Sequence, residues 1–130
     1  MNLQISRVDP AEAAPFIQAR IARRIEAGGF LAVENLIAGC QCFRVDGEAG
    51  LVGYYALSVI ERPAGAEVVI VAGAGSLRAG DLTATLIPYI ERQAVGARLL
   101  TVQTRRRGLL AKLHAAGWSF GGVIMHKAIA

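Results

Sequence analysis

The alternation of apolar and polar side chains predicts the strands of this chain. Residues 3–8 alternate between the two classes, which is typical of an edge strand with one buried face. Residues 51–60 and 67–72 are largely apolar on both faces, and further strands are predicted at 40–45, 98–104 and 123–129. Strands that are apolar on both faces need helices on each side of the sheet. The pattern therefore favours an α/β fold over a β-sandwich.

A first helix is predicted after the edge strand. Asp9 can cap it, Pro10 suits its first turn, and Ile17, Ile21 and Ile25 form one apolar stripe at four-residue spacing. Two glycines at 28–29 end this helix, and a short helical piece is predicted within residues 30–37. These helices would cover one face of the sheet.

The second half of the chain predicts a strand, helix, strand, helix order. Leu82, Leu86 and Ile90 mark the first of these helices, and Leu113 belongs to the second, which Gly117 should end in a left-handed conformation. The connection between the strands at 67–72 and 98–104 is long enough for a right-handed crossover, so these strands should be parallel. Ligands of open sheets bind at the carboxyl ends of such strands.

Length and composition indicate a single domain spanning residues 1–130. The hydrophobic content is 54%, but no apolar run reaches the ~18 residues that a membrane helix needs. No secretion signal is recognisable at the N-terminus, so we expect a cytoplasmic protein without membrane contact. Cys40 and Cys42 are separated by one residue, which disfavours a mutual disulfide and predicts buried, reduced thiols. No cluster with the spacing of metal ligands is evident.

The formal charge of +4 favours anionic partners. Nucleic acid is an unlikely partner, because aromatic residues make up only 6% of the chain and residues 105–107 form its one dense arginine cluster. The positive charge can also serve solubility alone. The apolar composition also makes a homo-oligomer plausible.

The order of predicted elements resembles that of the GCN5-related N-acetyltransferase (GNAT) superfamily. That family has a last helix that ends at a glycine followed by an aromatic residue (the Gly-aromatic stop), and then a final strand. Residues 108–118, which end in Gly117-Trp118, are similar to this helix and its stop, and residues 125–127 are similar to the final strand. They are also similar to short GNAT-like proteins carried by some phages. The resemblance implies a mixed sheet with helices on both faces, and transfer of an acetyl group from acetyl-CoA to the amine of a small molecule or protein.

The same resemblance implies a cofactor site at the second βα connection. The backbone of Ala72 and Ala74 would face the pantetheine arm, and residues 78–83 would correspond to the phosphate loop. Arg78 fits the family pattern, whereas Asp81 and Thr83 stand where the family has small residues. The cofactor-binding residues implied in this way are Ala72, Ala74, Arg78, Gly80, Leu82 and Thr83.

Asp81 has a physical consequence for this site. A helix N-terminus attracts a diphosphate through free amides and a partial positive charge. Asp81 is predicted to cap those amides itself, and like charges ~4 Å apart repel by about 4 kcal/mol at an effective dielectric near 20. Residues 73–75, Gly-Ala-Gly, are an alternative phosphate cradle. Two hypotheses therefore stay open: an N-acetyltransferase, or an inactive GNAT-fold binding or assembly module.

The catalytic groups are less clearly marked. Many members of the family place a tyrosine four residues before the Gly-aromatic stop, to protonate the leaving thiolate, and that position is Leu113 here. Glu67, at the start of a central strand, is the best-placed carboxylate for a general base, and Glu34 and Glu61 are weaker candidates. The arginines at 105–107 could contact the phosphates of the coenzyme.

Overall fold

A computed structural model describes residues 2–21, 32–77, 80–104, 106–125, 127 and 129. Its five strands are β1 (Gln4–Val8), β2 (Gln41–Gly47), β3 (Gly50–Arg62), β4 (Gly65–Gly75) and β5 (Leu99–Val102). They form one sheet in the order β1-β2-β3-β4-β5, in which the first four are antiparallel and β5 is parallel to β4. The parallel pair predicted from the crossover length is confirmed.

Helices cover both faces of this sheet. They are α1 (Pro10–Ile21), α2 (Val33–Leu36), α3 (Leu82–Gln93) and α4 (Arg107–Ala115). On one face, α1, α2 and Ile37 just after α2 form a core with the sheet, made of Ala13, Ala14, Ile17, Val33 and Ile37 with Cys42, Tyr54, Ala56 and Ala72. On the other face, α3 packs Leu82, Leu86 and Ile90 against Val45, Tyr55, Leu57 and Val68. The predicted α/β class with a mixed sheet is confirmed.

Tyr55 anchors α3 to the sheet. Its side chain is 1% exposed, it stacks on Phe43 with ring centroids 5.1 Å apart, and its hydroxyl donates a hydrogen bond to Gln93 at the end of α3. Burial raises the pKa of Tyr55 to about 12, so the phenol stays neutral. The ring links β2, β3 and α3 in one cluster.

The two cysteines flank the first residue of β2, and both are free thiols. Cys42 is fully buried, whereas Cys40, just before the strand, is half-buried. Burial raises the pKa of both thiols, which keeps them protonated at neutral pH. The predicted burial holds for Cys42 and only in part for Cys40, and their reduced state stays a prediction.

The prediction of a closing strand at 123–129 is wrong for every part of it that the structure describes. Residues 123–125, 127 and 129 adopt neither helix nor strand, and Val123 is 84% exposed. Gly117 ends α4 with a φ of +94°, as predicted. An apolar pattern gives a strand only where a neighbouring edge supplies hydrogen bonds, and such pairing is not local in sequence.

No described helix is long and apolar enough to cross a membrane.

Candidate functional site

The carboxyl end of β4 has an unpaired edge. β5 pairs with β4 only between Glu67 and Ile70, opposite Leu99 to Val102. Beyond this point β4 continues to Gly75 and is paired with β3 on its other side alone. A cleft of about 700 Å³ opens there, within the range of small-ligand sites. Backbone groups of residues 71–75 at this edge are therefore accessible to a ligand.

The cleft combines apolar walls with a basic rim. Ala72 and Ala74 lie on β4, Leu82 and Leu86 on α3, and Leu113 on α4. Other lining residues include Ser76, Gly80, Asp81, Thr83, Gln103, Thr104, Arg106, Leu109 and Lys112. Ala72, Ala74, Gly80, Leu82 and Thr83, predicted from the family resemblance, thus lie together here, and their contact with a cofactor stays a prediction. Arg78 lies outside the described residues.

Two glycines allow β3 and β4 to approach closely beside the cleft. A Cβ atom added to Gly53 would overlap the backbone carbonyl of Ala74, and one added to Gly75 would lie 2.5 Å from the carbonyl oxygen of Val52. Any larger side chain would push the strands apart at the point where β4 borders the cleft. The Gly-Ala-Gly sequence at 73–75 forms the end of β4, and the close packing of β3 against β4 requires glycine at position 75. It is not a separate phosphate loop.

Asp81 caps α3, as predicted. Its carboxylate accepts a hydrogen bond from the backbone N–H of Ala84 at 3.3 Å, and it forms an ion pair with Lys112 of α4 at 3.2 Å. These contacts, the backbone N–H first, hold the pKa of Asp81 below its usual range. The carboxylate is ionised at neutral pH, but the Lys112 ammonium partly offsets its charge. The sequence pattern did not indicate that Lys112 would lie beside Asp81.

The charged residues at the described cleft wall are mostly basic. They are Arg20, Arg106 and Lys112, against the single carboxylate of Asp81. Arg20 is positioned by the ring of Phe16, whose centroid lies 3.4 Å from the guanidinium carbon. A cleft with this balance attracts anions. Of the predicted arginine cluster at 105–107, Arg106 lines the cleft, Arg107 begins α4 away from it, and residue 105 lies outside the described residues.

Tyr54, on β3, also lines the cleft, although the sequence pattern did not mark it as a site residue. It is 6% exposed, and its hydroxyl donates a hydrogen bond to Glu12 at 2.8 Å. Burial, followed by the Glu12 carboxylate, raises the pKa of Tyr54, so the phenol keeps its proton at neutral pH. Its position opposite Ala74 across the β3–β4 ladder depends on register, which the sequence does not reveal.

Glu67 lies away from the cleft. One carboxylate oxygen accepts a hydrogen bond from the Thr101 hydroxyl and the other from Arg62, both at 2.7 Å, and these contacts lower the pKa of Glu67. Glu67 precedes Ala72 by five residues, about 16 Å along a strand. Glu34 and Glu61 are exposed and also do not line the cleft. A general-base role for Glu67 stays a prediction, and its geometry favours a structural ion pair.

Leu113 occupies the wall where the family resemblance places a tyrosine. Its side chain is buried beside the cleft, at 5% exposure. It offers no proton to a leaving group, so any acid at this site must come from another side chain. Among the described cleft residues, Tyr54 has a suitable protonated phenol.

Solved structures of acetyltransferases share this architecture along the whole chain. An aminoglycoside acetyltransferase from an uncultured soil metagenomic sample matches with a TM-score of 0.67 at 14% identity, covering 100% of this chain and 99% of its own. The ribosomal-protein-alanine N-acetyltransferase of Brucella melitensis matches at 0.67 and 13% identity, with coverage of 100% and 99%. Glucosamine-6-phosphate N-acetyltransferase from Arabidopsis thaliana matches at 0.65 and 11% identity, covering 100% of both chains.

No family sequence model and no curated protein matches this chain. The likeness to the solved structures, at 11–14% identity in the three described, is therefore one of fold. The chain has the GNAT fold.

Proposed function

We propose that this protein is an N-acetyltransferase that binds acetyl-CoA in the cleft between β4 and β5. The observation that carries the proposal is the unpaired edge of β4 from residue 71 to 75, which borders a cleft of about 700 Å³ with a basic rim. An extended ligand can add to such an edge through backbone hydrogen bonds. The pantetheine arm of acetyl-CoA carries amide groups suited to this mode of binding.

The basic residues of the cleft suit the phosphates of the coenzyme. Arg106 lies at the start of α4 and Lys112 on the next turns of the same helix, facing the N-terminus of α3 across the cleft. Both would neutralise a diphosphate near Asp81. Leu82, Leu86 and Leu113 would pack against the arm and exclude water from the region near Ala72.

Acetyl-CoA, when bound, supplies an activated acetyl group as a thioester. Backbone N–H groups at the β4 edge can polarise a carbonyl oxygen placed against them, which is the usual electrostatic contribution to acyl transfer. Tyr54 holds a proton at neutral pH within the cleft and is our candidate for the acid that protonates a thiolate. We assign the acceptor only as an amine of a small molecule or protein.

The second candidate is an inactive GNAT-fold binding module. It is favoured by Leu113, which offers no acid, and by Glu67, whose carboxylate is already held by Thr101 and Arg62. Such a module would still bind the coenzyme, or would use the fold without it. Binding and turnover must therefore be measured separately.

Calorimetric titration with acetyl-CoA tests the coenzyme site. We expect a dissociation constant between about 1 µM and 1 mM, the usual range of KM values. Arg106→Glu should weaken binding by about tenfold, since it reverses a cleft charge. The matched control is Arg107→Glu, which changes the net charge equally at the next position but does not line the cleft.

The outcomes separate the candidates. Binding with release of free CoA when a panel of amines is added supports the acetyltransferase. Binding without CoA release on any amine favours the inactive module. If acetyl-CoA at millimolar concentration gives no heat with the wild type, or if both arginine variants weaken binding equally, the coenzyme site that we propose is wrong.

A further inference from the structure

Arg20, on α1, is held at the wall of the cleft by an aromatic ring. Its guanidinium carbon lies 3.4 Å from the ring centroid of Phe16, and Nη1 donates a hydrogen bond to the carbonyl oxygen of the same residue at 3.2 Å. The Phe16 ring packs edge-on against the ring of Tyr54, with centroids 5.1 Å apart. A guanidinium carries several N–H donors in one plane, so these contacts leave donors for a further partner. A single ring therefore separates an exposed cation from the ring of Tyr54.

Arg20 lies on the opposite face of the sheet from the other cations of the cleft. The helix α1 packs on the face that carries the side chain of Tyr54. Arg106 directly precedes α4, and Lys112 lies on α4 and is ion-paired to Asp81 at the start of α3, which covers the other face. The two cations that we assign to the coenzyme phosphates thus belong to one side of the cleft, and Arg20 belongs to the other.

The α1 side of the cleft is the part left for the acceptor. If Arg106 and Lys112 hold the diphosphate and residues 71–75 hold the pantetheine arm, the amine must approach the thioester from the side that the coenzyme does not occupy. Among the described lining residues, Arg20 is the charged side chain of that side, since Asp81 is the one carboxylate and lies on the α3 side. The acceptor therefore meets a positive charge.

We propose that Arg20 binds an anionic group of the acceptor, which is accordingly a small amine that carries a carboxylate or a phosphate. The planar guanidinium binds either group through paired N–H···O bonds. Arg20 binds and orients such an amine and takes no part in the transfer itself. The role of the amine as acceptor rests on the proposed acetyltransferase function, whereas its affinity for this side of the cleft can be measured without turnover.

The same charges disfavour an acceptor with a second ammonium group. Such a group would meet Arg20 as a like charge. The Glu12 carboxylate does not compensate for this, because it does not line the cleft and its charge is already engaged. Its Oε2 atom accepts the hydrogen bond of Tyr54 at 2.8 Å and lies 3.8 Å from Nη1 of Arg44. We therefore expect the order of affinity to be anionic, then neutral, then cationic amines.

Three propyl-type primary amines that differ in one end group test this order. They are β-alanine, propylamine and trimethylenediamine, which end in a carboxylate, a methyl group and an ammonium group, and phosphoethanolamine with ethanolamine is the matching phosphate pair. NMR titration of the protein saturated with CoA, which carries no acetyl group to transfer, measures each dissociation constant. We expect each anionic amine to bind about tenfold more tightly than its neutral partner, the contribution of one charge-assisted hydrogen-bonded pair. The pair with the larger difference identifies the preferred anion.

Arg20→Gln should abolish the preference for the anionic amines and leave the affinity for propylamine unchanged. With acetyl-CoA, the same variant should raise the KM of the anionic amine by about tenfold at unchanged kcat, because the lost contact is equal in the ground and transition states. The matched control is Arg7→Gln, which should keep the preference. Arg7 also lies over a phenylalanine ring, 5.8 Å from the centroid of Phe43, but it is on β1 and does not line the cleft.

The inference is overturned if the wild type binds the anionic and neutral members of both pairs equally, or if Arg20→Gln keeps the preference. It is also overturned if Arg20→Gln weakens acetyl-CoA binding as much as Arg106→Glu does, since Arg20 would then belong to the coenzyme site. Failure of the proposed function gives a different result. Anionic amines bound through Arg20 without any release of CoA would leave the anion site in place and refute the acetyltransferase alone. If CoA itself does not bind, the same titration of the free protein decides.

Discussion

Replacing Tyr55 by alanine is expected to lower the free energy of unfolding by about 3–5 kcal/mol, the usual cost of removing a buried aromatic ring. Tyr55 is 1% exposed and packs in the core that joins β3 to α3. Small domains are stable by only about 5–15 kcal/mol, so this single change should remove a large part of the stability. Urea unfolding followed by circular dichroism measures the loss.

Tyr55→Phe is the matched control for that loss. It keeps the ring and its stacking on Phe43 and removes only the hydrogen bond to Gln93. We expect a cost of about 1 kcal/mol. A Tyr55→Ala variant as stable as Tyr55→Phe would mean that the ring does not hold α3 against the sheet.

The second large effect concerns Asp81, which we expect to weaken coenzyme binding in the wild type. Asp81→Asn should strengthen acetyl-CoA binding by about 5–30-fold, or about 1–2 kcal/mol. This is less than the full ~4 kcal/mol repulsion of two close like charges, because Lys112 offsets part of the charge. Asparagine caps a helix as well as aspartate does, so the N-terminus of α3 should keep its cap. Calorimetric titration measures the change.

The control for Asp81 is Asp46→Asn. Asp46 is also an ion-paired carboxylate, bound to Arg44 at 3.0 Å, but it lies on β2 and does not line the cleft.

The gain in affinity of Asp81→Asn should not depend on pH between about 6 and 8. The contacts of Asp81 lower the pKa of its own carboxyl group, so the wild-type carboxylate is ionised throughout this interval. Weaker binding by Asp81→Asn would show instead that the Asp81–Lys112 pair orients the lysine for the coenzyme.

The sequence predicted those features that depend on local pattern. The two-sided apolar strands at 51–60 and 67–72 predicted central strands, and the crossover length predicted the parallel partner. Asp81 was recognised as a cap because a carboxylate directly precedes the periodic Leu82, Leu86 and Ile90. In each case neighbouring residues contain enough information to specify the element.

The sequence could not predict contacts between residues far apart along the chain. Lys112 meets Asp81 across 31 positions, and Glu67 meets Thr101 across 34. The place of Tyr54 at the cleft follows from its register opposite Ala74, and the bulge at Ala56/Leu57 shifts that register further along the same ladder. The strand at 123–129 was predicted from its apolar pattern, but a strand also requires a paired edge.

The proposed acceptor amine, the cytoplasmic location and the likeness to phage-borne proteins stay predictions from the sequence. They concern substrate, cell and origin, which a shared fold does not determine. The cleft and its charges, in contrast, lead directly to a ligand experiment. That experiment needs no knowledge of the acceptor.

Amide hydrogen exchange with and without acetyl-CoA tests most directly whether the free edge of β4 binds the coenzyme. We predict that acetyl-CoA slows exchange of amides within residues 71–75 and at the start of α3, while amides of β2 (Gln41–Gly47) keep their rates. Unchanged exchange at residues 71–75 under saturating acetyl-CoA would contradict the proposal, whatever other part of the chain became protected.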